Sequence, residues 1–169
     1  MLKRIAEITV KSRIKRHNLI RKKRFMSWDK INKIALVISE SELVNKSVLD
    51  TFIAKTGKHI EVFYVEVNSK QPTYSDWRCF HKKELNLLKL PKNSYLQELE
   101  SKSFDLVINT GNDQDLISAL LTSTLNADLK CGLSSRFDCS ELIISKSDTS
   151  NLVNHLENVV KYLKMIKTN

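Results

Sequence analysis

Short apolar runs alternate with helix-period segments along this chain. Two of the runs, at residues 34–38 and 104–108, are almost continuously apolar. Runs of this kind with a helical pattern on either side are typical of strands buried on both faces of a sheet. We therefore predict strands over 33–39 and 104–110, with the second at the centre of the sheet.

The remaining elements follow from weaker signals. Residues 59–67 alternate between apolar and polar side chains and are rich in β-branched ones, which predicts a strand. Three short strands are also predicted, over 78–81 at an edge, 130–133 and 141–145. Apolar spacing predicts helices over about 40–56, 94–101 and 113–125, a helical turn over 83–88, and a last helix from Leu152 onward.

Helix ends are predicted from capping residues. Ser, Asp, Asn and Thr cap helix N-termini, and Gly commonly follows the last helical residue. On this basis residues 39–42, 110–113 and 147–150 are expected to begin three of the helices, and Gly57 to end the first. Alternating strands and helices imply right-handed crossovers and a mostly parallel sheet. The predicted fold class is α/β, a three-layer Rossmann-like or flavodoxin-like sandwich.

Charge divides the chain into two parts. Residues 1–24 contain ten Lys or Arg and one acid, Glu7, so they carry +9, the formal net charge of the whole protein. The remaining residues hold 18 basic and 18 acidic side chains. We therefore predict a basic helical extension over 1–26 and a single α/β domain over 27–169.

The extension lacks Gly and Pro and can be helical. On a helical wheel its apolar residues scatter around the circumference, so no wide apolar stripe is expected to pack against the domain or insert into a membrane. Cations on every side suit a helix surrounded by phosphates. A solvated tail or a targeting leader is the alternative, although the mixture of Lys with Arg and the scarcity of Ser are unlike a transit peptide.

These observations favour a non-enzymatic RNA-binding protein associated with the ribosome or ribosomal RNA. The extension would lie in a phosphate-lined groove, and its deletion is expected to abolish binding without unfolding the domain. Phosphate contacts position a protein without reading bases. The residues expected to make them are Lys3, Arg4, Lys11, Arg13, Lys15, Arg16, Arg21, Lys22, Lys23 and Arg24.

A second hypothesis is a small-ligand or nucleotide-sugar-binding enzyme. Open α/β sheets bind ligands beyond the carboxyl ends of their strands. The polar residues expected there are Ser39, Ser41, Thr110, Asn112 and Ser134. Helix capping explains such residues equally well. With three glycines in the chain, neither a dinucleotide fingerprint nor a P-loop can form, so no cofactor is predicted.

The remaining chemistry-bearing residues give no catalytic motif. Three cysteines without a CxxC pair favour buried thiols in a reduced, cytoplasmic setting. Cys79 and His81 would share a strand face, which leaves open a thiolate–imidazolium pair. The four histidines are dispersed, so no metal site is predicted. No apolar run is long enough to span a bilayer.

A third functional hypothesis is an adaptor protein whose basic extension binds an acidic protein or an anionic membrane surface.

Several segments together resemble an uncharacterised bacterial domain family of unknown function. They are the basic N-terminal helix with the aromatic residues after it, 33–38, 80–86, 104–109, 129–132 and 162–166. The resemblance covers most of the chain and implies a cytosolic α/β protein without assigning a reaction. Residues 104–132 are also similar to part of the N-terminal Rossmann-like domain of heptosyltransferase-type glycosyltransferases, which implies the fold alone because their second, sugar-nucleotide domain is missing.

Overall fold

A computed structural model describes residues 1–42, 44–133, 136–146 and 151–166. Within them lies one six-stranded sheet in which every neighbouring pair is parallel, in the order β3-β2-β1-β4-β5-β6. The strands are β1 (Lys33–Ile38), β2 (His59–Glu66), β3 (Arg78–His81), β4 (Ser103–Asn109), β5 (Asn126–Gly132) and β6 (Leu142–Ile143). The predicted α/β class with a mostly parallel sheet is confirmed.

Strand order reverses between β1 and β4, which lie side by side in the middle of the sheet. Ile34 is in register with Leu106, and Leu36 with Ile108. From β1 the chain builds outward to β2 and β3, and it then returns to β4 to build outward on the other side. This is the Rossmann-like order, in which the carboxyl ends of the two central strands diverge into a crevice.

Five α-helices are present in the described part of the chain. They are α1 (Leu2–Ile20), α2 (Lys46–Thr56), α3 (Asn93–Glu100), α4 (Leu116–Thr124) and α5 (Leu152–Met165). Short 3-10 turns at Trp28–Lys30 and Lys82–Glu84 precede β1 and follow β3. The second of these overlaps the first two residues of the helical turn predicted over 83–88.

Hydrophobic side chains form two clusters, one on each side of the sheet. Alternate residues of a strand point to opposite faces, and accordingly Ala35 and Val37 join one cluster while Leu36 and Ile38 join the other. The first cluster includes residues of α1, α3 and α4, and the second includes residues of α2 and α5 together with Met26 and Trp28. Both faces of the sheet are therefore covered.

Helix α1 packs on α4 as part of the first cluster. Ala6, Val10 and Ile14 lie at i, i+4 and i+8, which places them on one helix face, and all three are buried. The expectation that the N-terminal segment lacks a packing face is therefore wrong. The face is narrow and begins with an alanine, so a wheel of apolar residues does not reveal it.

Three predicted helix starts lie too early or outside the described residues. Helix α2 begins after Asn45, whose side chain accepts a hydrogen bond from the Val48 N–H at 3.2 Å, instead of at residues 39–42. Helix α4 begins after Asp115 instead of within 110–113. Helix α5 begins after Asn151, and the predicted cap at 147–150 lies outside the described residues. In each case a later capping side chain satisfies the free N–H groups of the first turn.

Two other boundaries are informative. Gly57 ends α2 with a φ of 65°, a left-handed conformation that favours glycine, as predicted. Strand β5 begins at Asn126, four residues before its predicted start, because α4 ends directly into it at Leu125. Asp128 and Lys130 interrupt the apolar pattern of this strand and hide its first half from a periodicity search.

Candidate functional site

The ten basic residues of the N-terminal segment occupy different environments. Seven of them are exposed, and we call these the cationic face: Arg4, Lys11, Lys15, Arg16, Lys22, Lys23 and Arg24. Lys3 is also exposed but lines a crevice described below. Arg13 and Arg21 are partly covered by the domain.

Arg21 anchors the end of α1 to the start of β5. Its guanidinium donates hydrogen bonds to the carbonyl oxygens of Ala127 (2.8 Å) and Asp128 (3.3 Å) and forms an ion pair with Glu141. Only 4% of the Arg21 side chain and 10% of the Glu141 side chain are exposed. The Arg24 N–H continues this attachment by donating to the Asp128 carbonyl at 2.9 Å. Arg21 is therefore a structural cation that is not available to a phosphate.

Three further cations of the segment have partners within the protein. Arg13 donates to the Asn93 side-chain oxygen at 2.6 Å. Lys11 lies 3.2 Å from Glu7, and Lys23 lies 3.3 Å from Glu141. The Lys11 and Lys23 pairs remain solvent-exposed on the lysine side, and ion pairs of that kind contribute about 0–1 kcal/mol, so a phosphate can displace the carboxylate.

The other exposed cations are unpaired in the residues that the structure describes. No side-chain hydrogen bond or ion pair joins them to any residue in the described ranges. They are Lys3, Arg4, Lys15, Arg16, Lys22 and Arg24. The N-terminal segment is thus folded against the domain, yet most of its charge still faces solvent.

Apolar side chains also face outward on α1. Ile8 is 60% exposed and Leu19 is 78% exposed. They lie eleven residues apart, which is about 16 Å along a helix that rises 1.5 Å per residue. Ser12, Lys15 and Arg16 lie between them and are exposed. Leu2 and Ile5 are exposed on the turns before Ile8, and Ile20 is exposed beside Leu19. The outer surface of α1 therefore has an apolar group at each end and cations between the two groups.

A crevice opens at the carboxyl ends of the central strands, on the same side of the sheet as α1. Its volume is about 640 Å³, which lies within the range of small-molecule sites. The walls are aliphatic, and the residues that form them are Leu2 and Ala6 of α1, Val65 and Val67 at the end of β2, Leu116 and Ile117 of α4, and Leu87, Leu88 and Leu90 of the loop before α3.

Ser39 and Asp115 form the polar floor of this crevice. The Ser39 hydroxyl donates to the Asp115 carboxylate at 2.6 Å and lies 3.0 Å from the Ser41 hydroxyl. Asp115 also accepts from the Ser118 N–H (2.9 Å) and the Ser118 hydroxyl (2.7 Å). One carboxylate therefore caps α4 and joins it to the end of β1. Because its oxygens are engaged by neighbouring residues, Asp115 is a structural acceptor.

Of the other predicted crevice residues, Thr110 lies beneath the crevice. It is 1% exposed; its hydroxyl accepts from the Ser39 N–H at 3.1 Å and donates to the Val37 carbonyl at 3.3 Å. Asn112 lines the crevice and accepts from the Gln114 N–H at 2.9 Å. Ser134 lies outside the described residues. The structure thus brings Ser39, Ser41 and Asn112 to one cavity. Thr110 does not line the cavity but holds the end of β1 by its hydrogen bonds to Val37 and Ser39.

Asp115 gives a direct test of this arrangement. We expect Asp115→Ala to lower the free energy of unfolding by about 1–3 kcal/mol, because it removes the cap of α4 and leaves the buried Ser39 and Ser118 hydroxyls without their acceptor. Urea denaturation followed by circular dichroism measures the change. Asp113→Ala is the matched control, because Asp113 was the predicted cap and lies outside α4; a loss as large as that of Asp115→Ala would contradict the assignment.

The loop at the mouth of the crevice is rigidly built. The Asn86 side-chain oxygen accepts from the N–H groups of Leu88 (2.9 Å) and Leu90 (3.2 Å), and Lys89 adopts a left-handed φ of 57°. A non-glycine residue in that conformation costs about 1–3 kcal/mol and persists where its surroundings hold it. Leu87 is 95% exposed at the tip. No pattern in the sequence distinguishes Leu87 and Lys89 as site residues.

The cysteines do not form a nucleophilic site. All three are free and buried. Burial raises the pKa of Cys79 to about 11 and that of Cys131 to about 12, so both remain protonated at neutral pH. The Cys79 thiol donates to the Tyr74 carbonyl at 3.3 Å, and the His81 imidazole lies 3.6 Å from Glu84. A thiolate–imidazolium pair between Cys79 and His81 is therefore contradicted.

Nowhere among the described residues do three or more His, Cys, Asp or Glu side chains gather as a metal ion would require. Across the same ranges, 1–42, 44–133, 136–146 and 151–166, no helix has the length and apolar character needed to cross a bilayer.

The all-parallel sheet, its strand order and the crevice at the reversal point define a Rossmann-like α/β protein. The chain belongs to DUF6913, a family of unknown function, whose model matches residues 3–166. The resemblance to an uncharacterised domain family is thereby confirmed, and the match includes α1 as well as the sheet. No curated protein and no solved structure matches the chain.

Proposed function

We propose that this chain is a non-enzymatic RNA-binding protein that contacts phosphates through the cationic face. The observation that carries the proposal is the location of the surplus charge. The chain's whole net charge of +9 arises within residues 1–24, and the side chains of Arg4, Lys15, Arg16, Lys22 and Arg24 have no hydrogen-bond or ion-pair partner among the described residues. Binding that neutralises phosphates and releases their counterions makes use of such unpaired cations.

The packing of α1 changes how RNA would be bound. Because Ala6, Val10 and Ile14 face the domain, phosphates can approach α1 from its solvent side only. The protein would therefore lie on an RNA surface, with the α/β domain behind the helix, instead of inserting an arm into a groove. Ribosomal RNA is the target we propose, because its folded surface offers many phosphates to a rigid cationic face.

The number of available cations sets the expected salt dependence. If about six phosphates are contacted, the logarithm of the binding constant should fall with the logarithm of the salt concentration with a slope of roughly −4, using about 0.7 per phosphate of a single strand. A slope near −1 would mean that the cationic face does not carry the binding.

An anionic membrane is the other surface that a basic helix could bind. Interfacial helices bury a continuous apolar face between their cations. Here Lys15 and Arg16 lie between the outward-facing Ile8 and Leu19, so inserting these apolar side chains would draw two cations toward the acyl chains. The arrangement therefore favours a phosphate-lined RNA over a bilayer.

A charge-reversal pair tests the proposal. We expect Lys15→Glu/Arg16→Glu to weaken binding to ribosomal RNA fragments at least tenfold at 0.15 M salt, measured by filter binding. The control is Lys161→Glu/Lys164→Glu, which makes the same change in net charge on exposed residues of α5, the helix of the opposite hydrophobic cluster. Screening over about 8 Å should leave that variant within about twofold of the parent chain.

The same proteins would be floated with vesicles that contain phosphatidylserine. Equal loss of RNA binding in both variants, or vesicle binding with no RNA binding at the same ionic strength, would contradict the proposal.

A further inference from the structure

We propose that the crevice at the ends of β1 and β4 binds an amphipathic carboxylate, a molecule with a linear aliphatic body and one anionic head. This site is separate from the cationic face and does not depend on the proposed RNA binding. Four observations carry it: the aliphatic walls, the absence of a glycine-rich phosphate-binding turn after β1, two cations at the mouth, and the position of the crevice in the sheet.

The walls select for an aliphatic body. Among the described residues that line the crevice, nine are aliphatic and none is aromatic. A nucleobase or another flat ring is commonly held by stacking on aromatic side chains, which this wall lacks. Branched aliphatic side chains from four different elements instead offer contact to a flexible hydrocarbon chain along the whole cavity.

The floor disfavours a nucleotide. In Rossmann-like proteins the pyrophosphate lies against a glycine-rich turn after β1 and the helix that follows it. Here the residues after β1 are Ser39 and Glu40, and α2 begins only at Lys46. The Glu40 carboxylate lies at this end of the crevice, where it accepts from the Asn68 N–H (3.2 Å) and side-chain amide (3.0 Å). Two carboxylates at the floor disfavour a diphosphate there, and they equally require that a single anionic head lie at the mouth, beside Lys3 and Lys89.

The mouth supplies the charge that an anionic head would meet. Lys3 on α1 and Lys89 on the loop before α3 both line the crevice, and neither has an ion pair or side-chain hydrogen bond in the described part of the protein. The Asn86 turn holds Lys89 in place. Leu2 and Leu87, which are 62% and 95% exposed, lie at the same mouth and lose water contact when an aliphatic ligand enters.

Binding of decanoate tests the assignment. We expect decanoate, kept below its micelle concentration, to displace the fluorescent probe 11-(dansylamino)undecanoate from the full chain, and 1-decanol to displace it at least tenfold less well because it lacks the charge. Equal displacement by both compounds, no binding of the probe, or displacement by a nucleotide sugar but not by decanoate would each overturn the proposal.

Matched variants locate the site. Lys89→Glu should weaken decanoate binding about tenfold, since attraction at an exposed contact becomes repulsion, and Leu87→Asp should weaken it similarly. Leu19→Asp, the same change at another exposed leucine outside the crevice, should have no effect. Loss of decanoate binding in Leu19→Asp as well would overturn the location.

The two proposals can fail separately. Lys89→Glu should leave binding to ribosomal RNA fragments unchanged, and Lys15→Glu/Arg16→Glu should leave decanoate binding unchanged. A chain that binds decanoate but no RNA refutes the proposed function alone, and a chain that binds RNA but no decanoate refutes the crevice ligand alone.

Discussion

Ile14→Ala is expected to lower the free energy of unfolding by about 2–5 kcal/mol. Ile14 is 2% exposed and belongs to the same hydrophobic cluster as Val10, Leu120 and Leu121. Truncation removes its buried methyl groups and leaves a cavity between α1 and α4 that the two helices can close only in part. Guanidinium denaturation followed by tryptophan fluorescence and circular dichroism measures the change.

The chain offers a control on the same helix. Ile8 is 60% exposed, so Ile8→Ala makes the same chemical change and should alter stability by no more than about 0.5 kcal/mol. If both variants unfold at the same denaturant concentration as the parent chain, α1 does not pack on the domain in solution.

Removal of residues 1–24 should have a larger effect than either substitution. Helix α4 is buried from Ile117 to Thr124, because the sheet covers one side of it and α1 covers the other. The deletion would expose that second side and leave Glu141 without Arg21. The truncated chain should therefore lose cooperative unfolding, in contrast to the expectation from the sequence that it would stay folded. For this reason charge reversal, and not truncation, is the proper test of RNA binding.

The sheet could be predicted from the sequence because its signal is local. The run around Leu36 has no polar interruption and the run around Val107 has only Asp105 near its start, and each of the six strands overlaps a predicted one, although β5 begins four residues earlier than expected. Carboxyl ends of parallel strands meet at one edge, so Ser39 and Asn112 could be assigned to a common crevice before their contacts were known.

The rest depends on contacts between distant parts of the chain. The packing face of α1 begins with the small side chain of Ala6. Arg21, after the end of the helix, can be buried only because Glu141 and two carbonyl groups of β5 lie opposite its guanidinium. Likewise, Leu87 and Lys89 reach the crevice only through the turn held by Asn86. Periodicity and composition do not encode these partners, which lie up to 120 residues apart in the chain.

Sequence periodicity also fails to reveal that Lys130 is buried. Substitution of Lys130 is the second change for which we expect a large effect on stability. Lys130 is 0% exposed in β5, and its ammonium group donates to the Ser123 carbonyl at 2.9 Å. Burial, followed by the nearby charge of Arg21, lowers its pKa to about 7. From the sequence alone, a lysine at this position of a strand would be expected to face solvent. In the structure the end of α4 covers it.

Lys130→Met is expected to stabilise the protein by roughly 3 kcal/mol at pH 7. The lysine pKa is about 10.5 in the unfolded chain and about 7 in the folded one, so at pH 7 the unfolded chain is protonated at Lys130 whereas about half of the folded molecules have lost that proton. With the folded lysine half protonated at pH 7, and at about 1.4 kcal/mol per pKa unit, this costs the parent protein about 4 kcal/mol. The variant avoids that cost but loses about 1 kcal/mol from the hydrogen bond to Ser123, which leaves roughly 3 kcal/mol.

The sign of the pH dependence distinguishes this cause from simple repacking. Because the unfolded chain binds more protons between pH 7 and 10.5, the stability of the parent protein should rise with pH across that window, whereas the Lys130→Met variant gains nothing from this group. The advantage of the variant should therefore shrink to roughly 1 kcal/mol at pH 9. Lys161→Met, at an exposed position of α5, should change stability by no more than about 0.5 kcal/mol at either pH. A Lys130→Met protein less stable than the parent at pH 7 would mean that Lys130 is buried as a paired cation, and that the network of Arg21 and Glu141 extends to it as a stabilising partner.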